Sequence, residues 1–466
     1  MKNELFKEVS SFRDNFGTVY HLGEKILRTI NNVAEDNYYF LKKKEIFQKS
    51  IQQNFLIDFS EVNKEDYPDQ LKDYNLILES KKIPFISYPY EWTFNQLKDA
   101  AIHHLNFQIF LLNHDCVLRD SSAYNIQFFR GNPIFIDIMS IKKYEEGEYW
   151  SGYKQFCENF LNPLILSDKK NIGHQNIFRG SLEGLDTITL NKILSLKSKF
   201  SPNVFTHIVL QSKFLEQDII NPKNTVKKKN KLKTFKKTSY LFLLKQLKSW
   251  ILKLKFKKEA STWGLYEKFN TYEEKSLSEK EKIVEQFTKK YKPKTLIDLG
   301  CNNGKFSKIA LDNDTKEVVA VDFDINAISN TYEMSKKKKL NLLPLFIDLS
   351  NPSPNQGWLQ LERAGFQERF SCDVLIALAL EHHLIIGKNI PISEFISWIT
   401  NFAKFGLLEF IPKDDETILD MLSTKEDIYI DYSENNFETN LKKKANIINK
   451  FNLSNSNRVI YEFETF

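Results

Sequence analysis

Cysteine is scarce in this chain. The four residues, Cys116, Cys157, Cys301 and Cys372, are scattered and form no CxxC pair. That argues against a zinc framework or a disulfide-stapled module and fits a reducing, cytoplasmic location. No apolar run approaches the ~18–20 residues of a membrane-spanning helix. The opening Met-Lys-Asn-Glu-Leu-Phe-Lys-Glu lacks the apolar core of a signal peptide. No repeat of ~20–50 residues recurs, which removes solenoids and propellers. Charge of one sign is also lacking: a net +6 over 466 residues gives no global reason to bind nucleic acid. Lys, Asn, Ile and Phe are all abundant, a bias that lowers the weight of any single lysine run.

Length and apolar content instead suit a soluble chain of two or three domains with ample core. The rest is organised around Thr295-Leu-Ile-Asp-Leu-Gly-Cys-Asn-Asn-Gly304. An apolar strand pattern ends in Asp298, a loop carries Gly300 and Gly304, and a helical pattern opens at Lys305. This is the start of a nucleotide-type βαβ unit. A dinucleotide loop seats a pyrophosphate on the helix N-terminus. A carboxylate just before the first glycine repels phosphate and suits a cationic ligand. Val318-Val-Ala-Val-Asp322 is a second strand ending in an acid, 24 residues after Asp298 and suited to ribose hydroxyls. Leu342-Leu-Pro-Leu-Phe-Ile-Asp348 is a third, placed for an adenine edge. Cys372–Ala379 reads as the fourth strand and Gly406–Ile411 as the fifth.

Asp298-Leu-Gly-Cys-Asn-Asn-Gly304 resembles the first motif of class I S-adenosylmethionine-dependent methyltransferases. Asp348-Leu-Ser-Asn-Pro-Ser-Pro354, Leu378-Ala-Leu-Glu-His-His383 and Glu409-Phe-Ile-Pro-Lys-Asp-Asp415 resemble a bacterial subgroup that includes nodulation-type methyltransferases. For residues 261–466 the resemblance implies a Rossmann-like sheet with helices on both faces. It implies S-adenosyl-L-methionine held by Asp298, Gly300, Asn302, Gly304, Asp322, Asp348 and Ala377. Glu381, His382 and His383 are the candidates for aligning the acceptor or removing its proton. The expected acceptor is a small molecule or glycan. DNA is disfavoured, because Leu380-Glu-His-His383 lacks the Asn/Asp-Pro-Pro-aromatic tetrad of adenine methylation; O- and N-methylation stay open. The loop Asn351–Trp358 is either a lid over the acceptor site or a rigid surface turn.

In residues 1–215, residues 12–32 predict a β-hairpin, Asp36 to about Asn54 a helix, and Ile83–Trp92 a strand entering a Pro-interrupted connector. Phe94–Leu112 has helical spacing, and Lys169–Leu182 reads as a loop. Asp120 precedes Asn125 by five residues, and a short hairpin about Gly131-Asn132 then delivers Asp137. One Asp to handle an acceptor hydroxyl, with an Asn and a second Asp as hard oxygen ligands for Mg²⁺, is a phosphotransferase pattern. The region resembles the protein-kinase and aminoglycoside-phosphotransferase fold, an α+β domain with an N-lobe at about 1–90 and a C-lobe at about 91–215. The resemblance implies Asp120 as the catalytic residue that orients or deprotonates the acceptor hydroxyl, Asn125 and Asp137 as metal ligands, ATP and Mg²⁺ as partners, and Tyr88–Trp92 as the adenine-contacting hinge. Lys25 and Arg28 both offer a cation to the phosphates. The alternatives are a module that only binds the methyl acceptor, a bifunctional kinase-methyltransferase, and a scaffold with neither activity.

Between the halves, residues 216–260 form a basic connector. Tyr240, Leu243, Leu244, Leu247, Trp250, Ile251 and Leu254 share one helical stripe flanked by lysines. Through 239–258 this helix either touches an anionic membrane surface or packs between the domains; the second is the commoner fate of such a stripe.

Overall fold

The computed structural model describes residues 4–220, 235–257, 274–423, 425–454 and 456–466. The lysine run 227–233 and the lead-in Trp263–Phe269 lie outside them. The N-terminal half begins with a five-stranded antiparallel sheet. Its strands are β1 (Leu5–Lys7), β2 (Val19–Leu22), β3 (Lys25–Ile30), β4 (Phe59–Val62) and β5 (Leu76–Lys81), in the order β1-β2-β3-β5-β4. The expected hairpin is β2–β3. The single helix expected over 36–54 is two, Asn32–Lys43 and Ile46–Gln52, because Glu45 is left-handed (φ 57°) and breaks the hydrogen-bond ladder. The strand expected at Ile83 lies earlier, in β5; Ile83–Trp92 is all connector, ending in a 3₁₀ turn at Pro89–Glu91.

The connector leads into helix Phe94–Asn113. Its start is fixed by a capping box: Thr93 Oγ accepts from Gln96 N–H, while the Gln96 side chain accepts from Thr93 N–H. Strand β6 (Cys116–Leu118) follows, then the hairpin of β7 (Ile126–Phe129) and β8 (Asn132–Phe135), and β9 (Ile141–Lys143) beside β6. Helices fill the remainder to 220. The stretch 169–182, expected as loop, holds a short helix at Gln175–Gly180 whose Phe178 is buried.

The connector helix is Lys237–Lys253. Tyr240, Leu244, Leu247, Trp250 and Ile251 are buried, and Gln108 of helix Phe94–Asn113 donates to the Tyr240 hydroxyl at 2.7 Å. Lys98 donates to the carbonyls of Leu252 and Leu254, both at 2.9 Å. The apolar stripe therefore faces protein. No helix among the described residues is long and apolar enough to cross a membrane.

The C-terminal half is a seven-stranded sheet in the order β12-β11-β10-β13-β14-β16-β15. Strands β10 (Thr295–Leu299), β11 (Glu317–Asp322), β12 (Leu342–Phe346), β13 (Cys372–Ala377) and β14 (Ala403–Phe410) run parallel; β16 (Val459–Thr465) is antiparallel to β14 and to β15 (Ala445–Asn452). The near-continuous apolar runs of β10–β14 follow from burial on both faces. The chain moves outward from β10 to β12 and then crosses back to β13. The crevice at the strand tips beside β10 is therefore the switch point where doubly wound sheets bind ligands.

One apolar cluster runs through both halves, from Ile30 to Phe463. Its polar centre is an ion pair between Arg369 and Glu91, with side chains 5% and 2% exposed. Arg369 also donates to the Ile86 carbonyl at 2.6 Å, and Ser353 Oγ donates to Glu91 at 2.8 Å. Truncating Arg369 strands a buried carboxylate. We expect Arg369→Ala to cost about 3–5 kcal/mol. Arg369→Met with Glu91→Leu should recover most of that in urea unfolding followed by tryptophan fluorescence.

Candidate functional site

The tips of β10, β11 and β12 carry Asp298, Asp322 and Asp348 around the loop 300–304. Register sets Asp298 against Ala320 of β11 and Ile376 of β13, so Ala377 ends the neighbouring strand. The loop is left-handed at Gly300 (φ 78°), Asn302 (φ 47°) and Gly304 (φ 72°). Gly304 has a second reason to be glycine: a Cβ there would lie 2.6 Å from Thr331 Cγ2. Asn302 takes the strained position at the middle of the loop, where its N–H donates to Asp322 at 2.8 Å and its carbonyl accepts from Thr331 Oγ1 at 3.1 Å.

Asp298 is buried and accepts from Ser307 Oγ at 2.5 Å. Burial, with Asp322 nearby, pushes its carboxyl up to about 7. Asp322 accepts from the N–H groups of Asn302 and Asp324, both at 2.8 Å, yet burial still pushes it up to about 6. One oxygen of Asp348 caps its own turn, accepting from Ser350 N–H at 2.9 Å and Ser350 Oγ at 2.6 Å. Among the described residues no cation pairs with these three carboxylates, and Lys305 at the helix start points to Glu281 instead. The side-chain oxygen of Asn302 is buried with no hydrogen-bond partner. A glycine cradle, an unsatisfied buried acceptor and three carboxylates free of cations fit a cationic nucleoside such as S-adenosylmethionine.

Glu381, His382 and His383 begin helix Glu381–Lys388 beyond β13. Glu381 is fully buried: it accepts from Ile411 N–H at 2.8 Å and the Tyr432 hydroxyl at 2.9 Å. Its second oxygen lies 3.2 Å from Nδ1 of His382, which is also fully buried. His383 packs against His382, with centroids 3.8 Å apart and the rings tilted by 44°. Burial and that neighbour push it down to about 2, so it stays neutral. Sequence reasoning missed three partners here. Ser307 bonds Asp298 from a helix face that gives no local signal. Glu409 holds the N–H of left-handed Ala379 at 2.9 Å, and Lys280 forms a fully buried ion pair with Glu409 at 2.6 Å. Glu409 on a buried strand was the one visible hint.

In the N-terminal half, Asn125 donates to both Asp120 oxygens (3.2 and 3.1 Å), and Ser140 Oγ donates to Asp120 at 2.6 Å. Burial raises the Asp120 carboxyl. Asp137 faces Arg28 at 3.1 Å, and Arg28 also pairs with Asp14. Lys25 pairs with Glu79 at the sheet surface, so Arg28 is the cation that reaches Asp137. The stretch 351–358 turns toward the N-terminal half: Arg179 donates to the carbonyls of Asn351 (2.7 Å) and Pro352 (2.8 Å).

The C-terminal half thus has the geometry of a doubly wound, Rossmann-like ligand-binding protein with acids at its strand tips. No known family profile matches the chain. It is 40% identical over 455 residues to nodulation protein NoeA of Rhizobium meliloti (strain 1021), covering 97% of this chain and 95% of that one. The chain belongs to the NoeA family. Among solved structures it is similar to the N-methyltransferase NodS from Bradyrhizobium japonicum WM9 (10% identical, 41% of this chain, 98% of the other, TM-score 0.31). It is also similar to a SAM dependent methyltransferase from Aquifex aeolicus (15% identical, 44% and 100% covered, TM-score 0.32). The loop itself is testable: Gly304→Ala should cost about 1–3 kcal/mol from positive φ and crowding against Thr331, read by urea denaturation, and Thr331→Ser should relieve part of it.

Proposed function

We propose that this protein is an S-adenosylmethionine-dependent methyltransferase acting on a small-molecule or glycan-type acceptor. The observation that carries this is the set of strand-tip carboxylates around a left-handed glycine loop, with no cation among the described residues to neutralise them. Such a field attracts an ammonium and repels a pyrophosphate. Asp298, Gly300, Asn302 and Gly304 would hold the amino-acid end, Asp322 the ribose, and Asp348 and Ala377 the adenine side. The cofactor, when bound, supplies an activated methyl group on a sulfonium. The chain's own part is alignment. The turn Ala379–His383 closes the site, with Glu409 holding it through the Ala379 N–H. His383, held neutral by burial, is the candidate for orienting the acceptor, with His382 beside it and Glu381 bonded to His382.

Two expectations follow. Asp322→Ala combined with Gly300→Val should weaken S-adenosylmethionine binding at least ~100-fold in isothermal titration, since a hydrogen bond to a charged group contributes about 1.5–3 kcal/mol and the added valine fills the cradle. Unchanged affinity defeats the assignment. The second concerns pH. The raised pKa values mean Asp298 and Asp322 take up protons below about 7 and about 6. A bound cation favours their charged forms, so binding releases protons. Affinity should rise from pH 5.5 to 7.5 and level off above, by at most ~10-fold per pH unit for each carboxyl.

A second reading makes the N-terminal half a kinase-like phosphotransfer domain, favoured by Asn125 bonding Asp120 with the Asp137 charge close by. Asn125 and Asp137 are the ligand types for Mg²⁺, but with Arg28 paired to Asp137 the residues do not fit an ion as arranged, and no step is routed through one. Short of phosphotransfer, the half serves acceptor binding. Contact of 239–258 with a membrane would fall to Phe242 and Leu252, the exposed apolar residues opposite the buried stripe.

A further inference from the structure

Helix Ile325–Lys338 follows β11 and serves both halves of the chain. Its start is set by Asp324, whose Oδ1 accepts from the N–H groups of Asn326 (2.8 Å) and Ala327 (3.2 Å). Two residues earlier, Asp322 ends β11 and accepts from Asn302 N–H. The helix is thus rooted in the candidate cofactor site. In its middle, Thr331 meets the loop 300–304 twice. Its hydroxyl shares one proton between the carbonyls of Asn302 and Ala327, both at 3.1 Å. Its Cγ2 fills the space beside Gly304, 2.6 Å from where a Cβ would stand. Asn330 donates to the Asn303 side chain at 3.1 Å. Asn302 is left-handed without being glycine, so its place depends on what surrounds it.

The neighbouring residue on the helix points to the N-terminal half. Tyr332 is fully buried, and its hydroxyl donates to Asp99 of helix Phe94–Asn113 at 2.7 Å. Burial, with the Asp99 charge beside it, pushes the phenol well above its usual range, so it remains a donor. One turn on, Lys336 reaches the same oxygen of the half-buried Asp99 at 2.6 Å, and Asn95 donates to Glu333 at 2.8 Å. Phe128 packs edge-on against the Tyr332 ring, with centroids 5.8 Å apart. A helix is held rigid by its own backbone hydrogen bonds, so Thr331 and Tyr332 cannot move independently.

We propose that Asp99 is a positioning residue for the cofactor site. Through Tyr332 and Lys336 it fixes the seat of helix Ile325–Lys338, and through Thr331 that helix fixes the loop at Asn302 and Gly304. The N-terminal half is in this way a working part of a site whose own residues all lie in the C-terminal half. The inference rests on the methyltransferase reading, since the ligand positioned is S-adenosylmethionine. A ligand of the N-terminal half that shifts helix Phe94–Asn113 then changes cofactor affinity, and the cofactor changes that ligand's affinity by the same factor.

The test is isothermal titration of the full chain with S-adenosylmethionine. Asp99→Ala and Tyr332→Phe remove the same bond from opposite sides. Each should weaken binding at least ~5-fold, within the range by which residues remote from a ligand modulate its affinity. In a Thr331→Ala background, which cuts the helix from the loop, adding Asp99→Ala should cost less than ~2-fold more. Gln108→Leu loosens the same N-terminal helix away from Asp99; it should lower the urea midpoint and leave binding as in wild type. Circular dichroism shows which variants are folded. Should Asp99→Ala fail to fold, Tyr332→Phe, which loses one hydroxyl, decides. Wild-type affinity in the folded variants overturns the proposal. So does an undiminished loss in the Thr331→Ala background, because the effect then does not pass through that contact. A wild-type chain that does not bind the cofactor at all rejects the methyltransferase reading, and the proposal with it.

Discussion

The buried pair of Arg369 and Glu91 is the constraint on which the arrangement of the two halves depends. Glu91 sits in the connector between the sheet and the helical layer of the N-terminal half. Arg369 lies just before β13, at the end of the segment 351–369. A charge pair removed from water is stable only when the remaining donors and acceptors are satisfied. Here Ile86, Tyr88 N–H and Ser353 supply those partners. The same contact ties the connector to the segment that enters β13, the strand beside β10 in the candidate cofactor site.

From that anchor the interface spreads along β12. Asp99 accepts from Tyr332 at 2.7 Å and pairs with Lys336 at 2.6 Å, while Gln96 donates to the Pro344 carbonyl at 3.0 Å. Gly131 comes close enough to the end of helix Ile325–Lys338 that a Cβ would lie 3.1 Å from Lys336 Cα. Lys336, which has no assigned role in the sequence beyond suiting a helix end, thus ties the halves together. The connector helix completes the packing from the other side of helix Phe94–Asn113, which explains its stripe without a membrane.

Much of the candidate site was legible from residue order. A strand ending in an acid, a glycine turn and a following helix are local facts: Asp298, Asp322 and Asp348 lie at or just past the ends of β10, β11 and β12, with Gly300 and Gly304 in the turn. The fifth strand began earlier than expected, at Ala403, because the exposed Lys404 interrupts the apolar pattern before Gly406. The helix break at Glu45 had no glycine or proline to announce it, and Ile83–Trp92 looked like a strand because apolar residues alternate there. Both errors arise where tertiary packing overrides local preference.

The sequence by itself determined the doubly wound C-terminal half, its acidic strand tips and the amphipathic connector, since each follows from periodicity and turn chemistry within a few residues. Tertiary structure alone decided that Arg28 rather than Lys25 pairs with Asp137, that Glu381 and His382 lie in the core, and that 351–369 reaches across to the other half. Those contacts include pairs 262 and 278 positions apart. Pairings at that separation leave no local trace, because their energy comes from desolvation and geometry that exist only once both halves have folded against each other.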